Sequence, residues 1–501
     1  MNAALRKEIR LLLPAWIVAL VAATLPAWVV GFDPAMMELM CFIFFSAGAL
    51  LLSLSSFGLE MSYGTFPSLL AQPRPRLETW QLKIGLLAVA LALVVVAVGS
   101  ACWVQIHNIP AESARMSHVE SDYSYYHRNF WPKFVPCLLL LAVMAFAGGL
   151  WTTILFRQMA AAFCFAILVP LVLYGSCWTL LERLLQDDDN SFGMAAFALV
   201  SCGYAVTAYA LARWLFQHAQ DKEAQEATNP TTWSFLPAFA APRRPAPLAA
   251  LLVKELRLQT GTLVIAAVLV LLHLAALAVA QYFPSFALKN SFFENVWMVW
   301  WLAPLLAGCG AIAEERRGRT LENALCLPVG KLRQFAIKLL VVFGLGILLG
   351  AVMPWWLEQL RPAVNLRHAA ITDLGLPGLL LTATVVTAVG CYFSSLSETL
   401  LQALGAGIGL SVMSPMALIF YASKPVLVHL LWILLRPFVI ATFLYLSYAN
   451  FKQCRITRRL WFRNGIIWLA VVSGPPAIWV LLAVIQNWIA GKIASGGWSM
   501  K

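Results

Sequence analysis

The chain has 501 residues, 61% of them hydrophobic and only 12% charged, with a net charge of +12. A soluble domain carries about 25% charged residues, so this composition excludes a water-solvated globular core and makes lipid the solvent. Unpaired backbone groups are too costly in hydrocarbon for anything but helices or closed barrels. Barrel strands alternate apolar and polar residues, and runs such as LLAVALALVVVAVGSACW do not.

In chain order, Arg6, Lys7 and Arg10 precede the first apolar run, as they would in a secretory signal. The following VVGFDPAMMELM offers no small-x-small cleavage site and leads straight into another run, so residues 11–31 read as a retained span. With a minimum of about 17 apolar residues per span, a first set falls at 11–31, 36–57, 82–105, 135–156, 159–181 and 191–216. A second set falls at 261–281, 293–313, 334–357, 374–393, 398–420 and 427–449. A last run, 466–489, is interrupted by Ser473-Gly474-Pro475-Pro476 and reads as a thirteenth span or a re-entrant segment. The expected fold is an all-α polytopic membrane protein with two pseudosymmetric six-helix repeats, 1–216 and 248–449. A polar then Pro-rich cytoplasmic linker (217–247) joins them, and a basic segment with a possible further span (450–501) follows.

Placing the N-terminus in the cytoplasm puts 24 Lys/Arg inside, 10 outside and one, Arg436, within a span; the acids divide 11 inside and 12 outside. That asymmetry obeys the positive-inside rule. The basic balance therefore belongs to a membrane surface, and no nucleic-acid partner is needed to explain it. The ten cysteines form no CxxC pair, so neither a zinc site nor a disulfide framework is indicated. Cys102 and Cys137 sit where the edges of one outer loop would be, but read better as ordinary buried thiols.

The two sets share landmarks. LRKEIRLLL (5–13) precedes the first span and LLVKELRLQ (251–259) the seventh, each with Lys-Glu-x-Arg among apolar residues at helical spacing, as in an interfacial helix. Each second span then leads into a polar inner segment. Aligning Pro73 with Pro328 gives an offset of 255 positions, which also superposes Glu60 on Glu315, Thr65 on Thr320, Leu70 on Leu325, Leu77 on Leu332 and Lys83 on Lys338. Same-orientation repeats of this kind imply a pseudo-twofold axis along the membrane normal. In the second copy Thr320 is expected to cap a short helix, and Leu321, Ala324 and Leu325 share one face. Pro328 then stops the helix, before Lys331, Arg333 and Lys338 lead back to the membrane.

With its Glu, Gly-Thr-Leu-Glu-like and Pro-Val elements, EERRGRTLENALCLPVGK resembles the inner loop of the type-2 ABC exporter permeases. Here Arg319 separates Gly318 from Thr320. The first-half loop, with Gly64-Thr65 adjacent and Pro67 and Arg74 in place of Glu and Val, is a looser match. The resemblance covers nearly the whole chain, as two family-sized units fused. It implies an exporter's membrane-spanning subunit, in which each loop is a coupling helix docking on a cytoplasmic ABC ATPase. The coupling residues it implies are Glu60, Gly64, Thr65, Leu70, Pro73 and Arg76 in one loop, and Glu314, Glu315, Gly318, Thr320, Leu321, Glu322, Leu325, Pro328 and Lys331 in the other. ATP and magnesium would be held by that partner, in two copies, and the location would be a bacterial inner membrane. No GxxxxGK[ST] phosphate loop occurs in this chain, and Gly405-Ala406-Gly407-Ile408-Gly409 reads as small-residue helix packing.

Glu314-Glu315 and Arg319 also fit the EExxxR signature of CAAX-protease-like membrane enzymes. None of the seven histidines has a Phe four positions earlier, which that family's further motif requires. A non-transporting membrane anchor for an ATPase is a third reading. Arg436, near the middle of a span, is a candidate for the substrate path or a partner of carbonyls freed by Pro437. His273 reads as core packing. The outer loop 106–134 holds histidines and acids without metal-ligand spacing, and Gln186-Asp187-Asp188-Asp189-Asn190 lacks an EF-hand pattern. The paucity of polar residues in the spans suits a lipid-like or amphiphilic cargo.

Overall fold

The computed structural model describes residues 3–29, 34–71, 75–108, 120–185, 190–219, 247–282, 296–318, 320–326, 329–360, 370–407, 426–453, 460 and 462–467. They contain helices and no strand. Eight of the helices are long and apolar enough to cross a membrane, which is the pattern of a multi-pass membrane protein. The outer loop expected over 106–134 is shorter, because 120–134 are helical and run on into the following span; 109–119, most of the linker, the 398–420 run beyond 407 and the last run beyond 467 lie outside the described residues.

The first group comprises α1 (Ala3–Val29), α2 (Pro34–Ser62), the short α3 (Phe66–Leu70), α4 (Arg76–Asn108), α5 (Glu120–Phe156), α6 (Met159–Leu185) and α7 (Asn190–Gln217). The second comprises α8 (Pro247–Leu258), α9 (Thr260–Tyr282), a 3-10 turn (Val296–Trp301), α10 (Leu302–Arg317) and the short α11 (Thr320–Leu325). There follow α12 (Lys331–Ile347), a π turn (Leu348–Val352), α13 (Met353–Glu358), α14 (Ala370–Leu396) and α15 (Val426–Phe451). The surface-lying segment expected before the first span is continuous with it in α1, whereas its later counterpart α8 is separate from α9. At that joint the Gln259 side chain donates to the Ala307 carbonyl (3.2 Å) and accepts from Thr262 (3.0 Å), bracketing the elbow to α10.

Small residues set the tightest crossings, as expected where lipid offers helices no hydrophobic drive to associate. A Cβ on Gly149 of α5 would lie 2.5 Å from Ser53 Cβ of α2, and one on Gly308 of α10 would lie 2.6 Å from the Thr387 carbonyl and 2.9 Å from Gly390 Cα of α14. The second crossing is fastened by Ser394 Oγ, which accepts from the amides of both Ile312 and Ala313 at 2.8 Å. Trp16 donates from α1 to the Ala90 carbonyl of α4 (3.0 Å). One apolar core runs from α1 through α2 and α5 to Leu305 and Leu404. The cysteines in the described residues, Cys102 and Cys137 among them, are free thiols, and the Cys102 sulfur lies 3.7 Å from that of Cys41.

Candidate functional site

Apolar helices place few charges, so the buried ones stand out. At the end of α2, Glu60 is buried, and Lys83, about two turns into α4, is buried against it with Nζ 3.0 Å from Glu60 Oε2. Lys83 also reaches Glu8 Oε2 of α1 at 2.6 Å, and Lys7 reaches Glu60 Oε1 at 3.1 Å. The second group repeats the arrangement. Lys338 of α12 sits 3.1 Å from Glu315 Oε2 and 2.6 Å from Glu255 Oε2 of α8, while Lys254 meets Glu315 Oε1 at 2.5 Å. Each central lysine has one backbone acceptor as well: Ser56 for Lys83 (3.3 Å) and Ala311 for Lys338 (2.9 Å). Glu60, Lys83 and Ser56 recur 255 positions on as Glu315, Lys338 and Ala311; Lys7-Glu8 recurs as Lys254-Glu255.

Two carboxylates against two ammonium groups are what allow such charges to be buried at all. Desolvation costs several kcal/mol per ion, and only multiple close partners offset it. The balance is incomplete at Glu255: burial holds its carboxyl above the ordinary range, although Lys338 draws it down. Each cluster ties three segments together: the Lys-Glu segment of α1 or α8, the end of the helix before the loop and the start of the helix after it. The short loop helix lies between the last two.

The loop helices are built alike. Phe66 and Leu69 are the buried residues of α3, and Leu321 and Ala324 those of α11, so the expected shared face of Leu321 and Ala324 is present, with Leu325 half-buried beside it. The hydroxyls of Thr65 and Thr320 each donate backwards, to the carbonyls of Glu60 and Glu315, both at 3.3 Å. The expected forward cap at Thr320 is thus replaced by a tie to the preceding helix, because its hydroxyl is within reach of a carbonyl freed at the end of α10. Gly64 turns the chain with φ +66°, a conformation that suits glycine; Gly318 has ordinary helical φ. Behind each loop helix stands an aromatic pair at matching positions: Trp80–Phe216 with ring centroids 5.4 Å apart, and Phe335–Phe451 at 5.4 Å.

No family model, curated protein or solved structure matches this chain.

The predicted coupling residues therefore sort by what they touch. Glu60 and Glu315 point inward and anchor. Arg76 donates to the Gln217 and Ala219 carbonyls (2.6 and 3.0 Å), closing the end of α7. Glu314 is half-buried beside Arg317, 3.7 Å away. Gly64, Thr65, Gly318, Thr320, Glu322 and Lys331 are exposed, and Leu70 is half-buried. Pro73, Pro328 and Arg319 lie outside the described residues, as does the side chain of Arg436, whose backbone belongs to α15. Arg316, not singled out from sequence, donates to the carbonyls of Ser395 (2.7 Å), Asn450 (3.3 Å) and Gln453 (3.2 Å), stitching α10 to α14 and to the end of α15. His273 is buried, accepting at Nδ1 from Trp300 (3.2 Å), with Nε2 3.5 Å from Glu358. Among the described residues no His/Cys/Asp/Glu group is disposed to hold a metal ion.

Proposed function

We propose that the chain is the membrane-spanning subunit of an ABC exporter, made of two fused six-helix permease units and driven by a separate cytoplasmic ATPase. The observation that carries this reading is the double occurrence of one device: a short loop helix with its apolar face seated, its polar face exposed, and a buried Lys–Glu cluster fixing the helices at both its ends. A motor protein can push on a loop helix and move spans only if that helix is rigidly joined to them. Two such levers match a motor with two ATPase domains. The ATPase supplies ATP and magnesium chemistry; this chain supplies the levers and the path. The type-2 exporter resemblance in EERRGRTLENALCLPVGK supports the outward direction, and the apolar spans suit an amphiphilic or lipid-like cargo. A bacterial inner membrane with the N-terminus in the cytoplasm follows from the charge asymmetry and the same resemblance. In a CAAX-protease-like enzyme Glu315 would need a free carboxylate, and here both its oxygens face lysines.

Cys326, exposed just after α11, offers a native handle for the test. A photo-crosslinker attached there, in a Cys202→Ser background and in native membranes, should capture a polypeptide with a phosphate-binding loop. Charge reversal at Glu322 should abolish the capture and the ATPase activity of the mildly extracted complex. Recovery of the chain with no ATPase, or labelling of 60–82 and 314–338 from opposite sides of the membrane, would end the proposal.

A further inference from the structure

Beyond the coupling loops, one surface differs between the two groups of helices. An open groove of about 500 Å³ lies between α8 and α12, walled by Leu248, Leu252, Val253, Ala336 and Ile337, with Arg333 as its one charged side chain. That volume falls within the range of about 300–1,000 Å³ typical of sites for small molecules. Leu248, Leu252 and Val253 are exposed on α8, and Leu332 and Leu340 on α12, so the walls continue into an apolar surface. Because α12 starts a candidate membrane span at Lys331, the groove lies at the end of that span, the level at which lipid headgroups meet their acyl chains.

The repeated Lys-Glu and Glu–Lys contacts fix which residues hold the matching positions in the first group. Val253 corresponds to Arg6, Ala336 to Gln81 and Arg333 to Glu78. There Arg6 and Gln81 interrupt the apolar wall left by Leu5 and Leu82, and a carboxylate, Glu78, stands where Arg333 does, although the ion-pair cluster behind it is the same. A generic consequence of laying a helix on the membrane would appear in both places. We propose that the α8–α12 groove binds one anionic phospholipid of the inner leaflet, its acyl chain along Leu252, Val253 and Ile337 and its phosphate at Arg333. Arginine with an apolar stem suits this position, since its chain lies on the groove wall while its guanidinium meets the phosphate. The lipid would occupy the angle between the surface-lying helix and the third span of the second unit. The inference does not depend on the exporter reading, because it concerns the lipid-facing surface alone.

The test uses the full chain in lipid nanodiscs containing a trace of phosphatidylglycerol, or of phosphatidylcholine, with a diazirine in the acyl chain. Adducts on peptides covering 248–253 and 332–340 should form about fivefold more with phosphatidylglycerol, the preference expected of one basic residue near an anionic headgroup. Peptides covering 76–82, where Glu78 takes the place of Arg333, should show no such preference. Arg333→Gln should bring the two lipids level at the groove, and Ala336→Gln should cut the phosphatidylglycerol adduct while leaving Arg333 in place. Ala336→Gln decides the matter if the arginine variant does not fold. Equal labelling by the two lipids in the parent chain, the same preference at the 76–82 peptide, or an undiminished phosphatidylglycerol adduct in either soundly folded variant would overturn the proposal.

Discussion

The two Lys–Glu clusters have the same members and the same connectivity, yet they are not equally deep. Lys7 keeps 47% of its side chain exposed where Lys254 keeps 34%, and Glu8 keeps 12% where Glu255 keeps 7%. The second cluster also has Arg316 beside it, fastening the same helix end to three carbonyls. The comparison teaches that one ionic joint occurs at two depths: the outer members of the first are more open to solvent, while those of the second are better covered and the helix end beside them is cross-braced. Deeper burial raises both the cost of desolvation and the penalty for breaking a pair.

The largest effect should come from Lys338→Met, which strands Glu255 and Glu315 without their shared cation and should cost about 3–5 kcal/mol. It can be read from the thermal midpoint at which buried Cys309 and Cys391 become reactive to a thiol dye in detergent. Lys83→Met should cost less, toward the lower end of that range of about 3–5 kcal/mol, because solvent can reach Lys7 and Glu8 to compensate. Equal costs would remove the distinction between the joints. Adding Glu255→Gln and Glu315→Gln to Lys338→Met should recover much of the loss, since a neutral replacement no longer buries lone charges. Next in size, Gly308→Ala forces a methyl into the α14 backbone and should cost about 1–3 kcal/mol. Gly310→Ala is the control, its new methyl meeting only Gln259 at 3.8 Å or more, and it should be close to neutral.

Smaller effects sharpen the comparison. Glu255→Gln should be the mildest of the charge removals in the second cluster, because burial already raises that carboxyl's pKa and so disfavours its ionised form. A folded-state pKa above the unfolded value means that protonation favours the folded state. The parent's stability should therefore gain from this group as pH falls through its raised pKa, and Glu255→Gln should lose that gain; a pH series of unfolding midpoints checks both. Last, Thr320→Val and Thr65→Val should each cost about 0.5–1.5 kcal/mol for one lost hydrogen bond. The same thiol-reactivity midpoint measures them.

Much of this was legible before any coordinates. Unbroken apolar runs marked the eight helices long enough to span a membrane, and the recurrence of Glu60, Thr65 and Lys83 as Glu315, Thr320 and Lys338 marked the positions that later met in space. The repeated Lys-Glu doublets before the first and seventh spans were visible too, but as signs of a surface helix. Nothing local in LRKEIR says that Glu8 pairs with a lysine 75 positions away, since that contact is decided by how α1 crosses α4. For the same reason Glu60 and Glu315 looked like residues offered to a partner when their carboxylates are turned inward. Arg316 was passed over because an arginine at a helix end is ordinary in sequence, and only the approach of α14 and α15 supplies its carbonyls.

The different joins between surface helix and span carry a mechanical consequence. α1 is one continuous helix, Pro14 and Pro26 notwithstanding, so a pull on its N-terminal end must tilt everything up to Val29. In the later copy the rod is broken at Gln259, which is pinned to Ala307, and α8 is held to α10 and α12 by the Lys254–Glu315 and Lys338–Glu255 pairs, so a push on α8 passes into those helices before it reaches α9. A symmetrical stroke delivered to both sides from below would then leave the bilayer as unequal displacements, with the N-terminal side leading.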